Sequence, residues 1–268
     1  MDKWNVTLAI VPSLGMDDFG ENNVIRPGHG RIMAEYLDFI LNHRLDDPRI
    51  QFEGIRLLLW KCAGNPPHMD YSAPCRSTGS ITLGEILHGR IKAFAEEHYP
   101  DPSVGDWEKR SRYLNLSDVP LCTGEALGKA MTEMCHDNQD RAISVLIVMT
   151  DNETAFDEGN LDGLPFESRH IPDLTVFVLP EKAVCRASSF ISRFNTPHSM
   201  ATVFGLNEWV ADAGEAFIRA ERSAPENENN FIRYAAQTAV TEKYGSIYAL
   251  YGLLKDVFNV ERTHHLIG

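Results

Sequence analysis

Five short runs of apolar residues constrain the fold of this chain more than any other feature. None of them alternates with polar residues, and each is followed by turn residues: VTLAIV (6–11), IRLLLW (55–60), SVLIVM (144–149), LTVFVL (174–179) and MATVF (200–204). Such runs are typical of strands that are buried on both faces, as in parallel sheets. We therefore predict a sheet that is covered on both sides.

Segments with helical spacing of apolar residues lie between these runs. They cover 30–44, 83–97, 123–137, 188–195 and 206–222. The predicted buried faces of the first three are Ile32, Tyr36, Phe39 and Ile40; Leu83, Ile86, Leu87, Ile91 and Phe94; and Ala126, Leu127, Ala130, Met131 and Met134. Strands that alternate with helices predict an α/β fold, a Rossmann-like doubly wound and mostly parallel sheet with helices on both faces.

The chain divides at a polar break, SAPENENN, which begins at residue 223. We predict one α/β domain over 1–222 and a C-terminal helical extension over 223–268. The extension carries Tyr244, Tyr248 and Tyr251 at helical spacing, which suits packing on its own domain as well as docking into a partner's groove. Within the domain, 64–79 is rich in Pro, Gly and Ser and is predicted to be a loop or insertion, and a short strand is considered near 113–116.

Charge and cysteine content narrow the classes of partner. The chain has 25 basic and 38 acidic residues, a formal net charge of −13, which disfavours nucleic acids and anionic membranes as partners.

The lengths of the apolar runs bear on the location of the protein. The first apolar run is too short for a secretory signal, and no run approaches the roughly 20 residues of a membrane helix. Five scattered cysteines without a CxxC pair indicate free thiols, so a cytoplasmic location is expected.

Three local patterns resemble the von Willebrand factor type A family over about residues 4–222. The run that ends IVMTDNE (147–153) is similar to the family's apolar run followed by Thr-Asp-Gly, with Asn152 in the glycine position. The preceding helix opens LCTGEALGKAM, which is close to the family's T-x-T-G-x-A-L, and the segment SSFISRFNTPHSMATVFGLNEWVADAGEAF resembles its closing helix, strand and helix.

The resemblance implies a metal-ion-dependent adhesion site after the first strand, at VPSLGM. The family motif Asp-x-Ser-x-Ser falls on Val11, Ser13 and Gly15, and its threonine falls on Leu121 or, with a slip of the loop, on Thr123. Since Val and Gly supply neither the carboxylate nor the hydroxyl, the resemblance implies a degenerate site. Ser13, Thr123 and Asp151 remain as donors for at most a weakly held Mg²⁺, and no cofactor is expected.

Other interpretations of the same residues stay open. Asp151 or Asn152 can cap the next helix by accepting a backbone N–H. Asp151 with Asp17 or Asp18 can bind a divalent ion in a hydrolase or nucleotide-binding enzyme. Ser13, His29 and Asp151 can meet at one edge of the sheet, although a triad is defined by geometry and not by sequence.

Zinc binding is a further interpretation. Cys62, His68 and Cys75 share one loop, but their spacings differ from the usual zinc knuckles, so we interpret them as unrelated loop residues.

We favour a non-enzymatic adaptor that binds a partner protein in an intracellular, bacterial assembly. The predicted partner surface is the carboxyl edge of the sheet, with Ser13, Asp17, Asp18, Thr123, Asp151 and Asn152. By resemblance, MoxR-type ATPases and other subunits of a complex are the expected partner classes.

Overall fold

A computed structural model describes most of the predicted core. The described residues are 2–10, 19–21, 24–26, 28–40, 50–61, 68–71, 81, 83–98, 123–137, 143–161, 164, 171–197, 199–209, 242–243, 245–246 and 248–256. The strands among them are β1 (Asp2–Ile10), β2 (Phe19–Glu21), β3 (Val24–Arg26), β4 (Ile50–Lys61), β5 (His68–Tyr71), β6 (Ile143–Met149), β7 (Leu174–Leu179) and β8 (Met200–Gly205). The helices are α1 (His29–Phe39), α2 (Leu83–His98), α3 (Thr123–Asp137) and α4 (Glu181–Ile191).

Six strands form one sheet in the order β5-β4-β1-β6-β7-β8, and β2 and β3 form a separate antiparallel pair. The strands from β4 to β8 in this order are parallel, and β5 is antiparallel at the edge. All five predicted strands are present. Every residue of β6 and of β7 is buried, as the absence of alternation in their sequences predicts.

Helices cover both faces of the sheet, which confirms the predicted α/β doubly wound fold. On one face, α1 and α2 pack against Leu8, Ile147 and Val176 in one apolar core. On the other face, α3 and α4 pack against Leu58, Leu146 and Phe177 in a second core. The apolar faces predicted for the helices are buried wherever their side chains are described, except that Ile86 is partly exposed.

The described part of the C-terminal extension belongs to the first core. Leu250 and Leu254 are fully buried together with α1 and Trp209, and Tyr251 packs against the same cluster. This part of the extension therefore packs on the chain's own domain. The proposed boundary at 222/223 falls outside the described residues and stays a prediction.

Several predicted elements differ from the structure in extent. Strand β1 begins at Asp2, four residues before the predicted run at Val6, and β4 begins at Ile50, five residues before Ile55. Residues 68–71 of the predicted loop 64–79 form β5, and four residues bounded by a Pro-rich stretch carry too little periodicity to be recognised. Helix α4 begins at Glu181, seven residues before the predicted start at Ser188, because Pro180 ends the strand and still accepts the first helical hydrogen bonds from Ala183 and Val184. The strand considered near 113–116 lies outside the described residues.

A polar clasp joins β6 and β7 at their amino ends. Asp173 Oδ2 accepts hydrogen bonds from Ser144 N (2.6 Å) and Ser144 Oγ (2.7 Å), and Asp173 N donates to Ser144 Oγ (3.0 Å). These bonds fix the start of both strands and so their register, Val145 opposite Leu174.

Candidate functional site

The order of the strands locates a crevice between β1 and β6. After β1, the chain adds β4 and then β5 on one side of it. It then returns to add β6, β7 and β8 in turn on the other side, so the direction in which strands are added reverses between β1 and β6. Their carboxyl ends are level, since Ile10 pairs with Met149. In open α/β sheets, ligands bind beyond the carboxyl ends of the strands at such a reversal.

Helix α3 begins at this same edge of the sheet. Only residues 138–142 separate its end from the start of β6, and its apolar side packs on the strands. The helix therefore runs antiparallel to β6. Fifteen helical residues rise about 22 Å and seven strand residues rise about 23 Å, so Thr123 lies close to the level of the carboxyl end of β6.

His29 and Asp151 lie close enough for the charge of one to act on the other. His29 is the first residue of α1 and is partly buried, and Asp151 comes two residues after the end of β6. Burial lowers the pKa of His29 from its ordinary value of 6.5, and the nearby Asp151 carboxylate partly opposes this effect. The imidazole is therefore mainly neutral at pH 7.

Asn152 holds the loop that follows β6. Its Oδ1 accepts hydrogen bonds from Thr154 N and Thr154 Oγ1, both 2.8 Å long, which is an Asx turn. Asn152 N in turn donates to Oγ1 of the buried Thr150 (3.0 Å). Asn152 thus accepts a backbone N–H, as predicted for a cap. It does so in a turn that leads to a short 3₁₀ segment at Glu158–Asn160 and not to the predicted α-helix.

Two ion pairs connect this loop to α4. Lys182 Nζ lies 2.9 Å from Glu153 Oε2, and Arg186 Nη1 lies 2.6 Å from Asp157 Oδ1. The four side chains are 41–72% exposed, so the pairs add little to stability and chiefly restrict the loop. Sequence reasoning missed them, although the acids and the bases share a spacing of four residues that places each basic side chain opposite an acid.

Phe156 anchors the loop after β6 by packing against the core of the domain. It is buried, and its ring makes an edge contact with Phe177 of β7 at 5.6 Å and a tilted contact with Phe190 of α4 at 5.7 Å. Aromatic contacts of this kind add to the burial of apolar area. The loop is therefore anchored to both a strand and a helix.

Thr123 contributes a buried hydroxyl at the start of α3. The residue is fully buried, and its Oγ1 makes no hydrogen bond within the described part of the chain. Buried hydroxyls are normally paired, so this oxygen is available to a water or another ligand. Of the other predicted site residues, Ser13, Asp17 and Asp18 lie outside the described residues, as do Val11, Gly15 and Leu121.

The described residues supply only part of the donor set that a tightly held Mg²⁺ needs. This ion takes six oxygen ligands at about 2.0–2.1 Å, commonly with one or two carboxylates. The described residues at this edge include the Asp151 carboxylate, whose charge acts on an imidazole, and the buried Thr123 hydroxyl, which makes no hydrogen bond within the described part of the chain. Nowhere among the residues described do three His, Cys, Asp or Glu side chains form a group that could hold a metal ion. The predicted weak site at Ser13, Thr123 and Asp151 stays a prediction.

The structure bears only in part on two further predictions, which concern zinc binding and membrane helices. For zinc binding, Cys62 and Cys75 are not among the described residues, and of His68 only the backbone, in β5, is described. For the membrane, the described helices include none that is long and apolar enough to cross a bilayer.

The fold and the crevice define a doubly wound α/β protein with a candidate site at the reversal of strand order. Comparisons with protein-family models, with curated proteins and with solved structures find no match for this chain. The resemblance to the von Willebrand factor type A family therefore rests on the residues quoted above.

Proposed function

We propose that this chain is a non-enzymatic adaptor that resembles von Willebrand factor type A domains and binds a partner protein over the carboxyl edge of its sheet. The partner belongs to an intracellular assembly, and MoxR-type ATPases are among the candidates that the resemblance suggests. Binding does not need a tightly held metal ion. The observation that carries this proposal is that Asp151 lies opposite His29 at the reversal point.

This pairing supports a metal-independent surface. A divalent ion is usually held by several oxygen donors, whereas the residue that faces Asp151 is an imidazole, which offers no oxygen. The motif position that would supply the second carboxylate holds Val11. The charge of Asp151 thus acts on His29.

The loop after β6 suits protein recognition because it is ordered before a partner arrives. Asn152 and Thr154 fix its turn, Phe156 anchors it below, and α4 restrains it through Lys182 and Arg186. A loop that is already fixed loses less conformational entropy on binding. Its outer side exposes polar groups, including Glu158, to a partner.

A pair of glycine substitutions tests the surface without disturbing the fold. A Cβ added at Gly159, in the loop after β6, or at Gly89, on the exposed side of α2, meets nothing within 4 Å. We expect Gly159→Trp to block partner binding and Gly89→Trp to leave it unchanged, since only the first lies on the proposed surface.

The measurement is affinity capture from the native host followed by quantitative mass spectrometry, with the full chain and each variant as bait. A partner that is captured by the native chain and by the Gly89→Trp chain, and is lost with the Gly159→Trp chain, supports the proposal. Equal capture by both variants places the binding surface elsewhere and contradicts it.

The enzymatic alternative has a separate test. A hydrolase or nucleotide-binding enzyme that uses Asp151 with Asp17 or Asp18 would place a divalent ion beside His29. Addition of Mg²⁺ or Mn²⁺ would then shift or broaden the His29 ring signals in an NMR spectrum, and Asp17→Asn with Asp18→Asn would abolish the effect. The adaptor proposal expects no change at His29 at millimolar Mg²⁺.

A further inference from the structure

Among the described strands, β8 is the last in the sheet, and its outer edge is largely apolar. Its residues Met200–Gly205 include no charged residue and no proline, the features with which proteins usually prevent an edge strand from pairing. Met200 is 42% exposed, one of the two large apolar side chains exposed within the described ranges. Unprotected edges of this kind accept another strand.

The hydrogen bonds of β8 show which of its backbone groups face outward. Met200 N donates to Asp173 O at 2.9 Å, so Met200 and every second residue after it point their backbone groups toward β7. The backbone groups of Ala201, Val203 and Gly205 therefore point away from the sheet.

One of these outward groups is already used. Asn195 Oδ1 accepts a hydrogen bond from Ala201 N at 2.7 Å, which confirms the outward direction and blocks the start of the edge. For Val203 and Gly205, the described part of the chain offers no partner to the outward N–H groups. The available edge is therefore short and centred on Val203.

We propose that β8 pairs with β8 of a second copy of this chain in an antiparallel, two-fold symmetric dimer. A two-fold axis beside Val203 allows the two Val203 residues to exchange N–H and C=O bonds with each other. In the same register, Gly205 N–H of each copy donates to Ala201 C=O of the other. Ala201 N–H, which Asn195 occupies, is the group this arrangement leaves out.

The side chains of the strand are self-complementary in this arrangement. Val203 faces its own copy, and Thr202 faces Phe204, both of which are favourable cross-strand neighbours. A net charge of −13 on each copy opposes association in general. Because β8 itself carries no charge, pairing of the two strands adds no direct repulsion between like charges.

The test is sedimentation equilibrium of the full chain over a range of concentrations. We expect a reversible monomer–dimer equilibrium, and we expect Val203→Pro to raise the dimer Kd at least about tenfold because each copy loses one intermolecular hydrogen bond. Val203→Ala is the matched control, since it also loses side-chain packing but keeps the outward N–H and should change the Kd less. Proline is tolerated at an edge position whose N–H faces outward.

A second variant and a second measurement keep the test decisive if Val203→Pro does not fold. Met200→Lys adds a charge at an exposed position of the edge and should also weaken the dimer. Hydrogen exchange should show concentration-dependent protection at the amides of Val203 and Gly205 and concentration-independent protection at Thr202. A native chain that stays monomeric at all concentrations overturns the proposal, and so does a dimer that Met200→Lys leaves unchanged.

Discussion

Asp151 and His29 lie near each other where the order of the strands reverses, one after β6 and the other at the start of α1. Burial lowers the pKa of His29, and the Asp151 carboxylate raises it by a smaller amount. Asp151→Asn removes the opposing charge, so the pKa of His29 should fall further below 6.5. A titration of the His29 ring signals by NMR measures this directly, and an unchanged or higher pKa would mean that the two side chains do not interact.

The same residue makes stability depend on pH. As the pH falls below 6.5, the unfolded chain binds a proton at His29 before the folded chain does, because burial lowers the pKa only in the folded state. The free energy of unfolding therefore decreases between pH 6.5 and the lower folded pKa, and His29 adds no pH dependence well above pH 6.5. We expect His29→Gln to flatten this part of the profile in urea unfolding at a series of pH values. A profile of unchanged slope would contradict the assignment.

Gly84 sets the distance between α1 and α2. A Cβ at this position would lie 2.5 Å from Glu35 Oε1 and 2.8 Å from Arg31 Cγ, and Glu35 is only 3% exposed, so its side chain has little room to move. Gly84→Ala should lower the free energy of unfolding by about 1–3 kcal/mol. Gly89→Ala is the matched control in the same helix: it meets nothing within 4 Å and should raise stability by about 0.5–1 kcal/mol. Opposite signs in chemical denaturation are the expected result, and equal effects would argue against the close approach of the helices.

We expect Asn152 to stabilise the loop after β6 more than Asp151 does. Asn152→Ala removes the acceptor of two hydrogen bonds from Thr154, and we expect a loss of about 1 kcal/mol in the free energy of unfolding together with faster amide exchange at Thr154. Asp151→Ala serves as the comparison and should leave the exchange rate at Thr154 unchanged. If both variants exchange alike, the Asx turn does not hold the loop.

The sequence was sufficient for the fold because buried parallel strands leave a strong signal. Runs such as LTVFVL are apolar except for a single threonine, and the structure assigns β7 to the same six residues. The apolar stripe from Ala126 to Met134 likewise predicted a helix over 123–137, and α3 has the same limits, Thr123–Asp137. Elements with few residues were harder to predict: β5 has four, and the pair β2 and β3 has three each, too few for a periodic pattern to appear.

The site was predictable only in part, for a different reason. Asp151 and Asn152 were identified because they follow a buried strand, but which of them forms the turn depends on backbone geometry that the sequence does not contain. His29 lies 122 positions before Asp151 (151 − 29), and only the strand order β1-β6 brings the two together. The ion pairs of Lys182 and Arg186 depend equally on where α4 begins.

We propose that the carboxyl edge of the sheet binds a protein without a tightly held metal ion. The most direct test measures the Kd of the captured partner for the full chain in EDTA and in millimolar Mg²⁺, with Asp151→Ala as a second arm. Metal-independent binding predicts the same Kd in both buffers and an almost unchanged Kd for Asp151→Ala. A loss of affinity in EDTA or with Asp151→Ala would contradict the claim and restore a metal-dependent site.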